Sequence, residues 1–174
     1  MNCQKLPNIG NSVEFSEQDV QYMQMALEEA GMAADGGDVP VGAVLVADED
    51  GRILARGHNT RELLQTALGH AELNALESAC AMLGTRRLPP CTLYVTLEPC
   101  PMCAGAILQA RIGRVVCGTG DPVAGAMGSV WALHRPPTAA SHTRVEIGCC
   151  EVECKEILQA FFRQRRNGTT STDA

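Results

Sequence analysis

Two short stretches hold residues able to do chemistry together. In TLEPCPMCAGA, residues 96–106, Cys100 and Cys103 stand three apart behind a proline. In GHAELNAL, residues 69–76, His70 is followed two positions on by Glu72. A Cys-x-x-Cys that leaves a strand and opens a helix suits a thioredoxin-like redox pair. The helix N-terminus lowers thiol pKa, which favours metal binding just as well, so the pair alone does not choose. His70 with two thiolates makes a three-donor set for tetrahedral zinc and leaves one position for water. Two thiolates and a neutral imidazole cancel the charge of the ion. Water there needs a nearby base, and Glu72 offers a carboxylate at a suitable offset. A closed structural zinc would need a fourth ligand, for which Cys91 and Cys117 are the candidates. Taken together, His-x-Glu opening one helix and Pro-Cys-x-x-Cys opening the next favour a catalytic zinc.

Secondary structure must hold these side chains, and the pattern supplies it. Ser16 and Asp19 have capping-box spacing, and Val20, Met23, Leu27 and Ala30 follow with a helical period that ends at Gly36-Gly37. The apolar run 41–47 reads as a buried strand, turned by Asp48–Gly51 into an antiparallel neighbour at 52–56. A loop from 57 to 69 leads into a helix over 70–83. A strand at 91–96 passes through the cysteine stretch into a helix ending near Gln109. Further strands are expected at 114–118 and 144–147, separated by a Gly- and Pro-rich loop, with a closing helix over 152–166. Strands alternating with helices predict one α/β domain with a covered sheet. The expected organisation is a flexible leader over 1–15, the domain over 16–166 and a disordered tail over 167–174. Cys80 and Cys117 read as packing residues, Cys149-Cys150 as a pair badly placed to chelate, and Cys3 as exposed.

Composition bounds the setting. The chain has 174 residues, enough for one core, and only 3% aromatics, so small aliphatic side chains must fill it. A net charge of −6 argues against indiscriminate nucleic-acid binding, although a local Arg patch remains compatible with it. No secretory signal or membrane-length apolar run is visible. Nine cysteines in such a chain point to a reducing compartment, with the cytoplasm as the expected location.

VPVGAVLV (39–46), GHNTRE (57–62), HAELNAL (70–76), LYVTLEPCPMCAGAI (93–107), RIGRVVCGTGDPVAGAMGS (111–129) and FFRQRR (161–166) together resemble the TadA-type tRNA adenosine deaminases of the cytidine/deoxycytidylate deaminase superfamily. The resemblance spans about residues 18–166. It implies a three-layer α/β/α cytidine-deaminase-like fold with a mixed five-stranded sheet, and a homodimer that binds the tRNA anticodon arm. The implied reaction is zinc-dependent hydrolysis of the wobble adenosine to inosine, with one Zn2+ per subunit. His70, Cys100 and Cys103 match the zinc ligands and Glu72 the proton shuttle. Asn59 matches the asparagine that holds the target base, and Asp121 an acidic position near the ribose. Phe161, Phe162 and Arg163 lie on the helix that contributes to anticodon-loop binding. On residue chemistry alone, Asn59 and Asp121 serve as turn residues, and Arg163 as a helix C-terminal cation. The chain departs from the family pattern at Thr66-Ala-Leu-Gly69, where Asp-Pro-Thr-Ala is common, and in the longer stretch His134–His142. The runner-up is a deaminase of a free nucleobase or nucleoside, such as guanine, cytosine or cytidine. A structural-zinc RNA-binding module and a redox protein remain from other classes.

Overall fold

The first helix begins where the capping box places it. In the computed structural model, which describes residues 14–135 and 143–169, Asp19 N donates to the Ser16 side chain at 3.1 Å. Asp19 in turn accepts from Ser16 N at 3.0 Å, opening α1 (Glu17–Asp35). The expected leader up to residue 13, Cys3, most of the stretch 134–142 and residues 170–174 of the tail lie outside the described residues.

Strand β1 (Gly42–Ala47) is buried along its whole length, as its unbroken apolar run requires. It pairs antiparallel with β2 (Ile53–His58) on one side and β3 (Cys91–Leu97) on the other. Strand β3 then runs parallel to β4 (Arg114–Thr119), and β4 parallel to β5 (Arg144–Ile147). The order is β2-β1-β3-β4-β5, the mixed five-stranded sheet that was expected. Helices α3 (Ala71–Leu83) and α4 (Pro101–Ala110) cover one face, where Ala75, Ala79 and Ile107 pack with Leu45, Leu93 and Val115. Helices α1 and α5 (Glu151–Thr169) cover the other, where Met23, Ala26 and Cys154 pack with Val44, Tyr94 and Val116. Each large aliphatic side chain buried this way contributes roughly 1.5–3 kcal/mol. Alanine on the helices lets them lie close to the sheet. Gly57 shows how close, since a Cβ there would stand 2.5 Å from the Ala71 carbonyl and 2.7 Å from Ala75 N. That contact seats the start of α3 on the end of β2.

Two elements differ from expectation. The loop 57–69 contains a short helix, α2 (Arg61–Leu64). Its free N–H groups are satisfied in trans by Asp38, which accepts from Glu62 N at 3.0 Å and Leu63 N at 3.2 Å. Helix α5 continues three residues past Arg166, to Thr169. No helix among the described residues is long and apolar enough to cross a membrane.

Candidate active site

The C-terminal end of β3 delivers Glu98-Pro99 to the start of α4. Cys100 is the N-cap there, extended at φ −71° and ψ 172°, with a proline in the first turn. His70 is the N-cap of α3, also extended, and neither residue spends its side chain on a capping bond. Two helix N-termini therefore converge, each presenting a side chain free for other work. His70 Nδ1 lies 3.8 Å from Cys100 Sγ and 3.5 Å from Cys103 Sγ. The three ligand atoms sit within 4.8 Å of one another, and no fourth His, Cys, Asp or Glu atom joins them among the described residues. Cys91 and Cys117, the candidates for closing a structural site, are not part of the group.

The electrostatics suit a metal. Hydrogen bonds from Cys103 and then His70 pull the Cys100 thiol down to about 3. Cys103 is pushed up, first by the bond to Cys100 and then by burial. The bond to Cys100 raises His70. One imidazole nitrogen and two sulfurs this close together form a donor set that one divalent cation fits. Glu72, in the first turn of α3, is 3% exposed. Burial lifts its carboxyl to about 7, against lowering by a backbone hydrogen bond, by His70 and, last, by a hydrogen bond from Cys103. Glu72 lies beside the three-donor group without belonging to it.

Asn59 sits at the mouth of α3 and is buried. Its Oδ1 accepts from Ala71 N at 3.0 Å and its Nδ2 donates to the Val39 carbonyl at 3.0 Å. It thus supplies the capping bond that His70 does not, and keeps one N–H and one lone pair in reserve. Asp121 forms the turn that its sequence suggests, its Oδ1 accepting from Val123 N at 2.8 Å and Ala124 N at 3.1 Å. A cavity of about 440 Å³ brings Asp121 together with Val39, Leu97, Leu158 and Phe162. Phe161 is buried and Phe162 is 43% exposed, their rings in edge contact at 5.6 Å. Arg165 lies over the Phe161 ring at 5.2 Å. Arg163 borders a shallow hollow with Leu158, Phe162 and Arg166. The altered residues Thr66, Leu68 and Gly69 line a separate hollow of about 620 Å³ shared with residues of α3 and α4.

Sequence reasoning passed over Glu98. It is 2% exposed and accepts from three backbone N–H groups and a hydroxyl of the loop after β4. The available signal was a carboxylate in an apolar stretch immediately before Pro99-Cys100.

Known proteins resemble this chain over most of its length. The MafB19-like deaminase family matches residues 17–166. A tRNA-specific adenosine deaminase of Bacillus subtilis is 47% identical over 86% of this chain and 91% of its own length. Its counterpart from Agrobacterium fabrum is 46% identical over 83% and 94%. The chain belongs to the tRNA adenosine deaminase family. A solved structure from work on A-to-I editing by tRNA:A34 deaminases at the wobble position agrees with this deaminase at a TM-score of 0.75. That structure is 45% identical and covers 79% of this chain and 99% of its own. The sheet and helices of the deaminase fold are therefore those described above.

Proposed function

We propose that this deaminase converts adenosine to inosine at the wobble position of a tRNA anticodon. The observation that carries the reading is a three-donor His70, Cys100, Cys103 group with a separate buried Glu72 beside it. His70 Nδ1 and the two Sγ atoms would hold one zinc ion per subunit. When bound, zinc supplies the Lewis acidity that makes water nucleophilic near neutral pH. Glu72 takes a proton from the attacking water and delivers it to N1 of the adenine, as oxygen bonds to C6. Glu72 then carries a second proton to the amine, the bond from C6 to the exocyclic nitrogen breaks, and ammonia leaves inosine behind. The target base must first leave the loop stack, because C6 is out of reach while stacked.

The spare N–H and lone pair of Asn59 match a purine edge, which both donates and accepts. The second carboxylate oxygen of Asp121 faces a ribose hydroxyl in this reading. Phe162 offers an exposed ring to the anticodon loop, Phe161 backs that ring, and Arg163 offers a cation to a phosphate. The working unit is the deaminase domain over 16–166. It acts as a cytoplasmic homodimer of 18.5 kDa chains.

The test is to incubate the protein with an anticodon stem-loop, free adenosine, cytidine and guanine, and to measure ammonia and inosine. Release from the stem-loop alone is expected. Release from guanine or a nucleoside, with none from RNA, would replace this reading with the free-base one. Metal analysis should find one zinc per chain, lost in Cys100→Ser.

A further inference from the structure

Glu98 is a buried carboxylate whose partners all come from one loop. It accepts from Asp121 N at 3.0 Å, Met127 N at 2.9 Å, Ser129 N at 3.0 Å and the Ser129 hydroxyl. The backbone on either side is tied to the same segment. Glu98 N donates to the Thr119 carbonyl at 2.9 Å, and the Pro99 carbonyl accepts from Ala126 N at 2.9 Å. Gly125 sits inside this clamp, where a Cβ would stand 2.4 Å from Glu98 Oε2 and 2.5 Å from the Asp121 carbonyl. The Gly125 carbonyl in turn accepts from Val130 N and Trp131 N at 3.1 Å each.

We propose that Glu98 is a positioning residue for substrate. It locks the loop 121–131, which carries Asp121 and Trp131, to the turn that presents Cys100. Substrate wall and metal-ligand turn then move as one piece. A carboxylate is the suitable hub, because it offers up to four acceptor sites to the four donors. A glutamine would turn an NH2 group toward N–H donors that need an acceptor. The kinetic half of this proposal rests on the deaminase reading above, and the structural half does not.

Trp131 is the chain's single tryptophan and is 46% exposed, so its fluorescence reports the loop directly. The experiment compares zinc-loaded full-length wild type, Glu98→Gln, Gly125→Ala and the double variant. In each single variant, acrylamide quenching of Trp131 should rise about twofold as the loop loosens. KM for the anticodon stem-loop should rise about tenfold or more. Zinc should stay at one per chain, and kcat should stay within about threefold. The double variant should be no worse than either single one, because both break the same clamp. Ser129→Ala removes a single donor and should shift quenching and KM the same way by less, so the test survives if Glu98→Gln does not fold. Unchanged quenching and KM overturn the proposal. So does loss of zinc with a falling kcat at constant KM, which would make Glu98 a support for the metal turn alone. If wild type leaves the stem-loop untouched, the functional reading falls, while quenching and zinc content still decide whether the clamp exists.

Discussion

The two ends of the parallel strands each hold a buried carboxylate, and the pair behave in opposite ways. At the start of β4, Arg114 reaches Asp19 at 2.6 Å and Glu146 at 2.6 Å, and the Tyr94 hydroxyl donates to Asp19 at 2.8 Å. Burial alone would raise the Asp19 carboxyl, but bonds from Arg114, Tyr94 and Ser16 hold it well below the usual carboxylate range. At the far end of β3, Glu72 lies deeper, with an imidazole and thiols rather than a guanidinium as its neighbours. Burial wins there, and its carboxyl rises to about 7. Asp19 is 5% exposed and Glu72 3%, but Asp19 lines a surface hollow while Glu72 is enclosed, so depth and partner together separate them. A carboxylate locked as an anion ties helix to sheet, whereas one poised between its two forms can pass a proton.

The comparison breaks most sharply at Glu72. Glu72→Gln should lower ammonia release by about 10⁴-fold while leaving zinc bound and the melting temperature unchanged or higher, since the amide needs no charge underground. Appreciable turnover by that variant would remove Glu72 from the chemistry. At the other end, Arg114→Met should leave buried Asp19 without its cation and Glu146 with Arg144 alone, and cost about 3 kcal/mol in urea unfolding. Its kcat per folded molecule should be unchanged, and a fall would mean that the two ends are coupled.

The Asp19 end also has a pH signature with a definite sign. Its folded pKa lies below the ordinary value of 3.8, so the unfolded chain takes up the proton first. The stabilisation is complete above that value and is lost as pH falls below it. The urea midpoint of wild type should drop through that acid range, and Arg114→Met should show a flatter profile. Asn59→Ala should have the smallest effect on the fold, about 1 kcal/mol from two lost backbone bonds. A severalfold rise in KM beyond that would show that Asn59 also holds the base.

Much of the site was legible because its residues announce themselves locally. His70 and Glu72, Cys100 and Cys103 are each a few residues apart at helix starts, where spacing alone puts them on one turn. Helix α1 was legible for the same reason, through Ser16 and Asp19. Helix α2 was not, because the Asp38 that caps it is 24 residues away from Glu62. Asn59 read equally well as a turn residue and a base contact. In the fold it caps α3 across a gap of 12 residues. Glu98 showed locally only as a carboxylate in an apolar stretch, since its donors lie 23 to 31 residues downstream.

By itself the sequence determined every element but α2, the donor types and the two helix starts at which they sit, because period, capping and ligand spacing are short-range properties. It also left Cys91 and Cys117 open as a fourth ligand for a closed structural site. Only the tertiary structure decided that three donors meet with no fourth among the described residues, that Asp19 finds a guanidinium and Glu72 an imidazole and thiols, and that Glu98 binds a loop. Those outcomes depend on how helices seat on the sheet, through contacts such as Gly57 against Ala71, and on burial that fixes a carboxyl's charge only once its neighbours are in place.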